Sequence, residues 1–105
     1  MDTTAILNNL GSYAKRVGRT AAKPAVLLYL VLKDPATSKK DKYIVYAALA
    51  YLVLPINLIS AKRIPILGWV DEAAAIAIAY KKVKNNISPE MEHEAETMLD
   101  RWFSR

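Results

Sequence analysis

Apolar residues recur at helical spacing along most of the chain, and this pattern predicts an all-α fold. The first predicted helix runs from about Thr4 to Val17, and Gly18 is placed to end it. A second helix is predicted to begin near Pro24, a residue favoured in the first turn. Its residues 25–32 are apolar on every side, so we expect this segment to be buried.

Polar residues mark the starts of the later helices. Ser38 stands three residues ahead of an aspartate, which is the spacing of a capping box, and it opens a third helix. Pro55 should end or kink that helix. A fourth helix is predicted from about Trp69 to Lys84, and a fifth from Ser88, where a proline and a glutamate follow the cap.

The middle of the chain is its most apolar part. Residues 43–61 carry no charge, and as one helix they would span roughly 28 Å, close to the hydrocarbon thickness of a bilayer. Residues 64–80 carry only Asp71 and Glu72. We predict that these two stretches form an apolar helical hairpin at the centre of a small bundle of four to five short helices. The chain is then one domain, 1–105, with N-terminal helices at 4–33, the hairpin at 38–84 and a C-terminal amphipathic helix at 88–104.

Three polar residues in the hairpin form a predicted polar site, namely Asn57, Asp71 and Glu72. In one interpretation they face each other inside the apolar hairpin and carry its function. In the other, the two acids complement the positive start of the fourth helix, and Asn57 bonds to N–H groups freed near Pro55. The single histidine, His93, lies on a charged helix face, which favours a solvated residue over a metal ligand.

The fifth helix has one apolar stripe, and its other sides are charged. The stripe is a candidate partner-binding face, formed by Met91, Ala95, Met98 and Trp102. It either binds another protein or a second copy of the chain, or it folds back onto the core.

Charge is unevenly spread along the chain, whose net charge is +5. Residues 1–86 contain 13 basic and 5 acidic side chains, whereas residues 87–105 contain 2 basic and 5 acidic ones. The basic part is suited to anionic lipid, nucleic acid or an acidic partner, and equally to docking on the acidic end of the same chain.

Lysines stand at both mouths of the predicted hairpin, next to tyrosines, and they are Lys39, Lys40, Lys42, Lys81, Lys82 and Lys84. This arrangement favours contact with anionic lipid headgroups, with both termini on the cytoplasmic side of a membrane. The alternative is ordinary solubilising charge on a cytoplasmic soluble bundle. Nucleic acid is disfavoured, because no known reader motif accompanies the lysines.

Composition removes several kinds of chemistry. The chain has no cysteine, which excludes disulfides, thiolate catalysis and cysteine-based zinc sites. Its three glycines are isolated, so no glycine-rich phosphate loop exists. No serine or threonine has an evident base and orienting acid. We therefore predict no enzyme activity, no catalytic, cofactor or metal site, and we identify no small-molecule substrate.

Three segments, KDPAT at 33–37, AYLVLPINLI at 50–59 and IPILGWVDE at 64–72, carry a resemblance to a known family. The stretch 33–84 resembles the YkvA-like family, whose pattern is Pro-Ile-Asp-Leu-Ile-Pro-Asp followed by Gly-x-x-Asp-Asp. The chain departs from it at Asn57, which replaces an Asp, and at residues 60–61, which replace Pro-Asp. The resemblance implies a small helical bacterial protein of unknown function, often a membrane protein, here at the inner membrane.

Three hypotheses for function follow. The first is a membrane-associated helical scaffold or adaptor, and its alternative is a soluble helical module for protein-protein interaction. The third is a small ion-handling or catalytic protein that uses Asp71 and Glu72.

Overall fold

The computed structural model describes residues 3–50 and 72–103. In these residues the chain forms five α-helices, a short 3-10 turn and no strand, so the predicted all-α class is confirmed. The elements are α1 (Thr3–Val17), α2 (Arg19–Lys33), α3 (Lys39–Leu49), α4 (Glu72–Val83), the 3-10 turn (Lys84–Asn86) and α5 (Pro89–Phe103).

A single residue, Gly18, separates α1 from α2. Its φ of 94° and ψ of 162° lie in a region that L side chains rarely adopt, which is why glycine occupies the joint. The N–H of Gly18 donates to the carbonyl of Ala14 at 2.8 Å, and its carbonyl accepts from the N–H of Ala22 at 3.0 Å. The predicted end of the first helix at Gly18 is therefore confirmed.

The start of α2 differs from the prediction. The helix begins at Arg19, five residues ahead of Pro24, which lies inside it. Because the carbonyl of Gly18 already accepts a helical bond, the hydrogen-bond ladder is established before the proline. Pro24 lies in the second turn, where it lacks the N–H that would donate to the carbonyl of Thr20, and the helix continues through it.

Helix α2 lies at the centre of the described bundle. It contacts α1, α3, α4 and α5. All of residues 25–32 are buried, as the apolar run predicts. Four helices surround this run because none of its sides is polar.

Serine caps fix the starts of α3 and α5 where the sequence predicts them. Ser38 Oγ accepts from the N–H of Asp41 at 3.2 Å, and Ser88 Oγ accepts from the N–H of Met91 at 3.2 Å. Each hydroxyl satisfies an N–H that has no partner within its helix.

The two ends of the predicted hairpin pack together. Helices α3 and α4 contact each other, and both contact α2. Val45 and Leu49 of α3 and Ile76 and Val83 of α4 are buried in the shared core. The predicted bend, including Pro55, lies outside the described residues.

Candidate functional site

The first turn of α3 and the end of α4 meet at one place on the bundle. Asn86 Nδ2, in the 3-10 turn after α4, donates to Asp41 Oδ2 at 2.8 Å. This contact brings together two groups of lysines that lie 39 or more positions apart in the chain. We call the six together the lysine rim, and they are Lys39, Lys40, Lys42, Lys81, Lys82 and Lys84.

The charge of the lysine rim is not balanced locally. Five of its side chains are exposed, and Lys42 is half-buried. In residues 3–50 and 72–103, no rim lysine is within ion-pair distance of a carboxylate. The acid nearest to them in sequence, Asp41, is half-buried and accepts from Asn86. The rim is therefore a concentrated positive surface, and its field extends about 10 Å at ordinary ionic strength.

Exposed apolar side chains lie one helical turn from these lysines. Tyr43, four residues after Lys39, is 76% exposed. Ile78, four residues before Lys82, is 50% exposed. Residues four apart are neighbours on a helix surface, so each lysine group has an apolar neighbour. The sequence places tyrosines beside the lysines, but the exposure of Ile78 does not follow from it, because Ile78 falls between buried positions of an almost wholly apolar helix.

The predicted partner-binding face lies against the chain's own core. Ala95 is fully buried, whereas Met91, Met98 and Trp102 are half-buried and packed on the core. The ring of Trp102 lies beside Gly11 of α1, where a Cβ would stand 3.7 Å away. The stripe thus folds back onto the bundle, and binding of a partner by this face stays a prediction.

An ion-pair network joins α2 to α5. Arg19 Nη2 lies 2.6 Å from Glu96 Oε1 and 2.6 Å from Asp100 Oδ1. Lys23 Nζ lies 3.0 Å from Glu92 Oε1 and 2.8 Å from Glu96 Oε2. Arg19 and Lys23 therefore pair with the acidic end of the same chain, which is one of the partners predicted for the basic part.

Hydrogen bonds in this network shift its pKa values. Those from Lys23 and Arg19 lower the pKa of Glu96. Reciprocally, hydrogen bonds to Glu96 and Glu92 raise the pKa of Lys23. All of these side chains are at least one third exposed, so solvent weakens each pair.

The predicted polar site falls mostly outside the described residues. Asn57 and Asp71 lie there, and Glu72 is described only as the first residue of α4. The site stays a prediction. His93 is exposed on α5, and no three acidic or histidine side chains gather around a metal position within 3–50 and 72–103.

Among the helices described, none combines the length and the apolar character needed to cross a membrane.

Residues 41–78 match the model of a family described as a protein of unknown function, DUF1232. The match begins in α3 and ends in α4, and so covers most of the predicted hairpin. It supports a relationship to an uncharacterised family. No curated protein matches the chain, and no solved structure matches it.

Proposed function

We propose that this chain is a non-catalytic helical scaffold or adaptor that attaches to an anionic membrane surface through its lysine rim. The observation that carries the proposal is the meeting of two lysine groups at the Asp41–Asn86 contact. Anionic headgroups attract each lysine held near them by about 1 kcal/mol. Six such residues on one end of a rigid bundle act together, because the fold holds them in place.

Exposed apolar side chains support attachment at a lipid interface. Tyr43 has an aromatic ring with a polar tip, a combination suited to the boundary between headgroups and acyl chains. Ile78 adds purely apolar area one turn from Lys82. An interfacial surface needs both charge and apolar area, and the α3–α4 pair offers both.

We also propose that the chain is a YkvA-like protein of the bacterial inner membrane, with the rim on the cytoplasmic leaflet. Residues 41–78, which match the uncharacterised family, lie within the stretch 33–84 that carries the resemblance. The cytoplasmic leaflet is the side on which positive charge concentrates in membrane proteins.

Vesicle binding by charge variants tests the proposal. Phosphatidylglycerol vesicles should bind the protein at low salt, whereas phosphatidylcholine vesicles should not. Lys40→Gln and Lys82→Gln should each weaken binding about fivefold, the equivalent of about 1 kcal/mol per lysine. Lys40→Arg, which keeps the charge, and Lys15→Gln, which removes a charge from the last turn of α1, are the matched controls.

Equal affinity for both kinds of vesicle, or equal losses for Lys40→Gln and Lys15→Gln, would contradict attachment through the rim. The packing of Met91, Met98 and Trp102 on the core favours the second candidate function, a soluble interaction module. A complete absence of vesicle binding, together with capture of an acidic protein that depends on Lys40, would support that module instead.

A further inference from the structure

A groove of about 510 Å³ runs between α4 and the region where α1 meets α2. Val17, Ala21 and Pro24 line one side of it, and Ile76, Ala77 and Tyr80 line the other. The two alanines are exposed and carry too little side chain to fill the gap. The groove is therefore an open apolar channel of a size typical for small ligands.

The polarity of the groove changes along α4. Ile76 and Ala77 lie in the first half of α4, whereas Lys81 in its last turn and Lys84 in the following 3-10 turn line the groove further along. The distance from Ile76 to Lys84 is about 12 Å at 1.5 Å per residue. Among the residues that the structure describes, no carboxylate lines the groove beside Lys81 and Lys84.

We infer that this groove binds a free fatty acid, with its alkyl chain against Ala21 and Ala77 and its carboxylate at Lys81 and Lys84. An apolar channel that ends in two cations matches an amphiphile that has one chain and one anionic head. A neutral alcohol cannot form a charge-assisted hydrogen bond with these exposed ammonium groups, and a cationic amphiphile would be repelled by them.

The inference goes beyond the proposed function, because it concerns a single ligand molecule rather than a bilayer. Lys81 and Lys84 belong to both surfaces, whereas Lys40 belongs only to the rim and Ala21 only to the groove. Variants of the latter two residues therefore separate the two proposals.

Calorimetric titration without vesicles, using octanoate and decanoate as monomers, tests the chain requirement. Decanoate should bind with one molecule per protein and about fifteenfold more tightly than octanoate, since each buried methylene contributes about 0.8 kcal/mol. Decyltrimethylammonium has the same chain and the opposite charge, and should bind at least tenfold more weakly than decanoate. Equal affinity for the anion and the cation would overturn the inference.

Two variants test the location. Ala21→Phe fills the groove and should abolish decanoate binding, whereas Ala47→Phe adds the same ring at an exposed site of α3 and should leave it intact. A Lys81→Gln and Lys84→Gln double variant should weaken decanoate about tenfold and leave decanol unchanged. Unchanged decanoate affinity in both the Ala21 and the lysine variants would show that the groove is not the site. Vesicle binding should survive Ala21→Phe, and decanoate binding should survive Lys40→Gln.

Discussion

The guanidinium of Arg19, the first residue of α2, lies 2.6 Å from the carboxylate of Glu96, in the middle of α5. The two residues are 77 positions apart in the chain. Glu96 also accepts from Lys23 at 2.8 Å, so one carboxylate pairs with two cations on successive turns of α2. This contact ties the last described helix to the central one.

Glu96→Gln should therefore lower the free energy of unfolding, because it leaves Arg19 and Lys23 with one carboxylate fewer. The matched control is Glu94→Gln, an exposed change on the same helix at a residue outside the network. Urea unfolding of both variants measures the difference. An equal effect of the two changes would show that the network adds nothing beyond general charge.

The stabilising effect of Glu96 should depend on pH. Hydrogen bonds from Lys23 and Arg19 lower its pKa in the folded state below the ordinary value of 4.5. A carboxyl group whose pKa is lowered by folding stabilises the fold above its unfolded pKa, and this stabilisation is lost as the pH falls through the folded pKa. The stability gap between wild type and Glu96→Gln should be full at pH 6 and shrink below about pH 4.5. A gap that widens in acid would contradict the assignment.

Alanine at Gly18, between α1 and α2, and alanine at Gly11, inside α1, should have opposite effects on the free energy of unfolding. Gly18→Ala places a side chain at φ 94° and should destabilise the fold by about 1–2 kcal/mol. Gly11→Ala lies inside α1, and its new Cβ would make ordinary contact with Trp102 at 3.7 Å. It should stabilise the fold by about 0.5–1 kcal/mol through helix propensity. Thermal unfolding of the two variants checks both signs, and a loss in Gly11→Ala would indicate a tighter α1–α5 contact.

Leu99 of α5 should be essential for stability. It is fully buried, so Leu99→Ala should cost about 2–5 kcal/mol. Phe103→Ala on the same helix changes a side chain that is 37% exposed, and should cost much less. Denaturant unfolding of the pair shows whether α5 is part of the core. Similar small losses for both would mean that α5 leaves the bundle in solution.

Tyr43 should matter for vesicle binding and not for stability. The ring is 76% exposed, so Tyr43→Gln should change the free energy of unfolding by less than about 0.5 kcal/mol. If the ring enters the interface, the same variant should bind phosphatidylglycerol vesicles about fivefold more weakly, or about 1 kcal/mol. Tyr43→Phe should bind as the wild type does. If Tyr43→Gln binds the vesicles as tightly as the wild type does, the ring does not enter the interface and the attachment is electrostatic only.

Local signals predicted the elements of this fold well. The helix end at Gly18 and the starts at Ser38 and Ser88 follow from one or two residues each, because the responsible hydrogen bonds are local. The predicted start of α2 near Pro24 is wrong, because the helix begins directly after Gly18. Pro24 lies in the second turn, where it costs one backbone hydrogen bond without ending the helix.

Contacts between helices were predicted only in outline. The uneven charge gives the acidic end of the chain as one partner for the basic part, but the pairing of Arg19 with Glu96 depends on how α2 and α5 lie against each other. The meeting of the two lysine groups followed from the hairpin prediction, because antiparallel helices bring distant residues to one end. The exposure of Ile78 did not follow, since apolar residues surround it on α4.

The burial of α2 has a consequence for synthesis of the chain. Residues 25–32 emerge from the ribosome before three of the four helices that cover them. Until α5 has been synthesised and Ala95 and Leu99 pack on the core, this continuous apolar segment is only partly buried. Nascent or truncated chains that lack this helix should therefore aggregate or recruit chaperones, while chains that include it fold.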